Sequence, residues 1–138
     1  MKTLNQENIT GISALLVHAA KIDQHYSDKE KNMIKLFIKS YLKNNEEDII
    51  LENAEKIEKN SNQLLNFTNI IKKESNEIKS DVIKHLWQII ISDKSIDEYE
   101  SNLMRRVCGL IYFSDKMCAE IKLQILNNKW LILLKMNA

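Results

Sequence analysis

The chain has 138 residues, 44% of them hydrophobic and 28% charged, a balance expected of one folded domain over residues 1–138 rather than of a disordered tail or a membrane segment. It has no Pro and only two Gly, Gly11 and Gly109; this scarcity of turn residues and clustered glycines excludes an all-β sandwich, the dinucleotide fingerprint and the P-loop. Lys and Arg number 20 against 19 Asp and Glu, a net charge of +1, so no global field draws the chain to nucleic acid.

Helical periodicity begins at Ile12, Leu16 and Ala19, which mark one face of a helix over about residues 5–23. Ser27-Asp28-Lys29-Glu30 has the S-x-x-E form of a capping box and opens a second helix, with Met33, Ile34, Phe37, Ile38 and Tyr41 on its apolar face, ending near residue 43. Glu46-Glu47-Asp48 suits the start of a third, running to about Lys59 with Ile49, Ile50, Ala54 and Ile57 expected inward. After Asn60-Ser61-Asn62, a short fourth helix carries Leu64, Leu65, Phe67, Ile70 and Ile71. A fifth covers about residues 75–92, where helical spacing through Ile78, Val82, Leu86 and Ile89 outweighs the β-branched run Ile89-Ile90-Ile91. Asp97 to Glu100 opens a sixth, and Ser114-Asp115 caps a seventh carrying Met117, Ile121 and Ile125. The expectation is an all-α bundle of about seven helices.

Two helix-loop-helix segments repeat at a constant offset. Ile12 and Val82, Leu16 and Leu86, Asp23 and Asp93, Ser27 and Asp97, and Glu30 and Glu100 each differ by 70. A pseudo-symmetric pair of hairpins is therefore expected at the core. The stretch from Leu86-Trp87 through Asp93, Asp97 and Glu100 to Arg105-Arg106 resembles the second hairpin of the TerB-like family of bacterial tellurite-resistance and stress proteins. The first copy, Ala20-Lys21-Ile22-Asp23 to Glu30, follows the same plan less closely, and Gln24 and Lys94 stand where that family usually places Gly. The resemblance covers most of the chain. It implies an all-helical module of stress response that uses acidic hairpins for metal-modulated contact with other proteins. A similar unit occurs in the membrane-anchored J-domain protein DjlA, which leaves a co-chaperone-associated domain as a third alternative; a His-Pro-Asp motif cannot exist in a chain without Pro, so such a domain would act through another protein.

Asp23 and Asp93 fall at helix C-termini, where the helix dipole opposes a carboxylate and some donor or cation must offset the cost. One reading has both aspartates bonded to loop amides while Glu30 and Glu100 complete capping boxes. The other has Asp23, Glu30, Asp93 and Glu100 forming one acidic surface that weakly binds Ca²⁺ or Mg²⁺. The twelfth position counted from either Asp is Ile34 or Met104, so neither loop is an EF-hand. His18, His25 and His85 lack zinc-ligand spacing and are expected at helix edges or the surface, with His25 a candidate auxiliary ligand.

No Ser or Cys stands in the context of an activated nucleophile, so a non-enzyme is expected, with no catalytic residue. The competing class is a metal-dependent enzyme built on the four acids. Arg105 and Arg106 point about 100° apart on a helix, so nucleic acid is not an expected partner. Lys129 to Lys135 encloses Trp130-Leu131-Ile132-Leu133-Leu134, which either packs as a last helix or lies on a membrane surface. Without a signal-peptide core near Met1 or an apolar run of spanning length, the expected location is cytoplasmic, or peripheral at the inner membrane. Cys108 and Cys118 are then expected as free thiols.

Overall fold

The computed structural model describes residues 4–22, 25–92 and 98–136, without the side chains of 98–100 and 129–136. Among the described residues there are seven helices: α1 (Gln6–Ala20), α2 (Asp28–Tyr41), α3 (Glu47–Lys59), α4 (Leu65–Lys72), α5 (Asn76–Ile91), α6 (Glu98–Leu110) and α7 (Asp115–Met136). The run Ile89-Ile90-Ile91 is the buried last turn of α5. No helix among the described residues is long and apolar enough to cross a membrane.

Local signals set several of these boundaries. The Asn5 side chain accepts from the Asn8 amide at 2.7 Å, and Ser75 does the same for Ile78 at 3.3 Å, so α1 and α5 start on caps that also differ by 70. At Ser27 the full capping box forms. Ser114 Oγ accepts from the Met117 amide at 3.4 Å and starts α7. The α6–α7 turn is unusual in placing a tyrosine, Tyr112, at φ 58°. The Phe113 amide reaches back to the Cys108 carbonyl at 2.9 Å, which closes α6 in the manner of a Schellman motif. The Lys72 ammonium lies 4.9 Å from the centre of the Tyr112 ring and helps hold it there.

The offset of 70 extends to three helices in each half. α1 and α5 start 70 residues apart, as do α2 and α6, and α7 starts within two residues of the position that α3 predicts. Burial follows the same register: Ile12 and Val82, Leu16 and Leu86, Ile34 and Met104, and Phe37 and Val107 are all buried. Helix contacts repeat too, since α1 packs against α2 and α3 as α5 packs against α6 and α7. The two central helices, α1 and α5, pack on each other. α4 is the one helix outside the repeat, a connector between the halves. Gly11 of α1 faces it, where a Cβ would collide with Ile70 Cδ1.

The inward face of α3 is rotated from the expected one, and single residues of α4 and α7 turn outward. Ile49 and Ile57 are exposed, and α3 instead buries Ile50, Leu51 and Ala54. The same face carries Glu58, whose carboxylate turns inward to Lys21 Nζ at 2.8 Å and His18 Nδ1 at 3.3 Å. That ion pair and the Ile50–Ala54 stripe require one rotation of the helix. On α4 Leu65 is exposed while Phe67 and Ile71 are buried, and on α7 Met117 is exposed while Cys118 enters the core.

Equivalent burial predicts equivalent cost. Leu16→Ala and Leu86→Ala should each lose about 2–5 kcal/mol of stability in denaturant unfolding. A large loss at only one position would contradict a core built from two matching halves.

Candidate functional site

At the first hairpin, Glu30 is 1% exposed. Its Oε1 accepts from the Ser27 amide at 2.9 Å and from Ser27 Oγ at 3.0 Å, while Ser27 Oγ accepts from the Glu30 amide at 3.2 Å. Capping thus accounts for the burial of this charge, leaving Oε2 outside the box. Asp23 and Asp93 lie outside the described residues. Glu100 sits in the first turn of α6, with its side chain also outside them. Among the described residues no group of three or more His, Cys, Asp or Glu side chains is placed to hold a metal. His25 is exposed beside the first loop.

Tyr26 follows that loop and lies between Lys21 and Lys31, whose ammonium groups are 5.7 and 5.0 Å from its ring centre. Its hydroxyl is sealed from solvent. Burial, then the Glu55 carboxylate, then Glu30 and Glu58, push its pKa far above the ordinary tyrosine value. Three carboxylates and a neutral phenol therefore converge behind the first hairpin, and they are balanced by Lys21 and Lys31 at its rim, with His18 beside Glu58.

The largest difference between the halves is in two clefts. α4 packs against α1 and α6, and beside it a polar cleft of about 360 Å³ is lined by His18, Glu58, Leu64, Phe67 and Arg106, among others. Subtracting or adding 70 converts α1 and α6 into α5 and α2. The groove there has no counterpart of α4 among the described residues. It holds a cleft of about 410 Å³ lined by Lys29, Met33, Leu36, His85, Gln88 and Ile125, with Ile91 and Ser92 at one end. Arg106 corresponds to Leu36 and His18 to Gln88, so a charged cleft covered by the connector is matched by a more apolar one in which Leu36 is 64% exposed. Lys29 directly follows the first hairpin loop, and Ser92 directly precedes the second.

Its far wall is tied together by hydrogen bonds and a ring contact. Tyr41 donates to Asp81 Oδ2 at 2.6 Å, and His85 Nδ1 lies 2.8 Å from the Asp81 carbonyl, so that nitrogen carries a proton. The Phe37 ring meets His85 edge-on at 5.0 Å. His85 is thus a half-buried part of this wall rather than a free surface residue. Neither Leu36 nor the Tyr41–Asp81 pair stood out in the sequence. Comparing the copies residue by residue, apolar Leu36 against Arg106, is the signal that finds the cleft.

Glu30→Ala should cost about 0.5–2 kcal/mol in denaturant melts carried out in chelator, through loss of the cap alone; an unchanged midpoint would remove the capping role. At Tyr41, burial first and then the Asp81 carboxylate raise the hydroxyl pKa. The folded state holds this proton more tightly than the unfolded chain, so the stabilisation is complete below the ordinary tyrosine value near 10 and declines as pH rises above it. The stability difference between wild type and Tyr41→Phe should therefore shrink above pH 10. A difference that stayed constant there would show that the Tyr41 proton does not support the wall.

Comparison with protein families matches residues 10–123 to the family described as Tellurite resistance protein TerB. Comparison with curated proteins and with solved structures gives no match. The family match spans both hairpins, the connector α4 and the first turns of α7, and with it the chain belongs to the TerB family.

Proposed function

We propose that the chain is a bacterial stress-response module, related to tellurite resistance, that acts by binding another protein rather than by catalysis. The partner docks in the open groove between α2 and α5. The observation that carries this reading is the unequal treatment of two equivalent grooves: the chain's own α4 packs along one, and the other leaves Leu36 and Met33 beside a 410 Å³ cleft. In the covered groove the connector supplies Leu64 and Phe67, and a partner helix with similar apolar residues fits the open one. Lys29 and Ser92, which line this groove, adjoin the two acidic loops in sequence, and this supports the reading.

Asp23, Asp93 and Glu100 then form the charged rim, with the buried Glu30 carboxylate behind it, and a Ca²⁺ or Mg²⁺ weakly held by these four acids sets its charge and so the partner's affinity. A cation held by ligands from both hairpins binds the folded state alone and raises stability by mass action. The polar groups already gathered at the first hairpin, Tyr26 with Glu55 and Glu58, support an electrostatic role for this end of the bundle. The setting is the cytoplasm or the inner face of the membrane.

Raising Ca²⁺ or Mg²⁺ should increase the melting temperature of wild type more than that of Asp23→Asn/Asp93→Asn. Equal responses would mean general screening and would remove the cation site. Affinity capture from the host with wild type and Leu36→Glu tests the groove: the bound protein is lost in the variant. Retention of the same protein would place the partner elsewhere.

A further inference from the structure

We infer that Cys108 and Cys118 form a dithiol site that reacts with hydroperoxides and closes to a disulfide. The two residues flank the tight α6–α7 turn, Cys108 in the last turn of α6 and Cys118 in the first turns of α7. The Phe113 amide to Cys108 carbonyl bond at 2.9 Å and the Cys118 amide to Ser114 carbonyl bond at 3.0 Å fix the backbone on either side. Both thiols are free, Cys108 fully enclosed and Cys118 at 7% exposure, and each is the neighbour that most shifts the other's ionisation.

A third group gives the pair its direction. The Trp87 indole N–H donates to Cys118 Sγ at 3.3 Å, and Lys122 Nζ lies 5.1 Å from the centre of the Trp87 ring. Cys118 thus receives a hydrogen bond from Trp87, with a lysine nearby, and its pKa is lowered, by the neighbouring Cys108 thiol first and then by Trp87, despite burial and Asp115. At Cys108 the neighbouring Cys118 thiol and burial raise the pKa. A thiolate is the nucleophilic form of cysteine, so Cys118 attacks and Cys108 resolves. The fold itself does not require this chemistry. The first copy carries Ile38, fully buried, where the second has Cys108, Val17 where it has Trp87, and Asp48, mostly exposed and paired with Lys35, where it has Cys118.

The reaction balances with a hydroperoxide as the named oxidant. The Cys118 thiolate sulfur attacks the distal peroxide oxygen, the O–O bond breaks, and the leaving oxygen takes a proton to become water or an alcohol. Cys118 is now a sulfenic acid. Cys108 gives up its proton and its sulfur attacks Cys118 sulfur, forming the S–S bond and breaking S–O with release of water. Two electrons pass from the thiols to the peroxide.

The test treats the reduced full chain with hydrogen peroxide and follows thiol content in denaturant, together with intact mass. Wild type should lose both thiols and two hydrogens while remaining a single chain on a non-reducing gel. Cys108→Ser should stop at a sulfenic acid on Cys118 that dimedone traps, and Cys118→Ser should leave Cys108 unreacted. Trp87→Phe, checked for folding by circular dichroism, should slow thiol loss several-fold. Retention of both thiols at a peroxide dose that oxidises free cysteine would overturn the proposal. So would equal reactivity of Cys108 in Cys118→Ser, or disulfides formed only between chains.

Discussion

The arrangement depends on the burial of α1. From Ile9 to Ala20 nearly every side chain is enclosed, including Ile12, Leu15, Leu16 and Val17 without exposure. A helix apolar on all sides has no solvent face to orient it and must be surrounded. Here α2, α3, α4 and α5 surround it. The first polar residues able to leave that interior come at its end, where Lys21 and His18 reach Glu58. The acidic hairpin is therefore forced to the end of the bundle. The same logic operates on α5, whose last turn, Ile89 to Ile91, stays buried up to Ser92.

Much of this was legible in the chain itself, because the signals involved are local. Ser27 and Glu30 are three residues apart, and a capping box needs nothing else. Seven helices and the helical reading of Ile89-Ile90-Ile91 follow from spacing within one or two turns, the register of 70 follows from aligning the chain with itself, and the structure agrees with them. The rotation of α3 was not legible. Whether Ile49 or Leu51 turns inward depends on Glu58 finding Lys21 and His18, 37 and 40 residues away. For the site, the capping part of Glu30 could be read from S-x-x-E. The groove could not be, since its openness is a property of the path taken by α4, and no local pattern distinguishes Leu36 from other helix-surface leucines.

Duplication also clarifies where the halves have diverged. The core positions remain interchangeable in character, Leu16 for Leu86 and Phe37 for Val107, because packing accepts apolar groups of suitable volume. Divergence is concentrated where neighbours are unequal. The connector covers one groove, beside which stand Arg106 and His18, and the other has Leu36 and Gln88. Beside α7 the second copy has acquired Trp87, Cys108 and Cys118, for which the first has Val17, Ile38 and Asp48. A scaffold stable in both halves can carry different chemistry on each: the apolar groove lies between α2 and α5, and the two thiols lie at the α6–α7 turn.

The central claim is that two equivalent grooves differ in what covers them, the chain's own connector in one case and another protein in the other. A photo-reactive amino acid placed at position 36 or at position 106, and activated in the host cell, measures this directly. The account predicts that the probe at 106 crosslinks to residues 61–67 of the same chain, while the probe at 36 crosslinks to a second protein. Crosslinks from position 36 only to this chain itself, or to water alone, would contradict it.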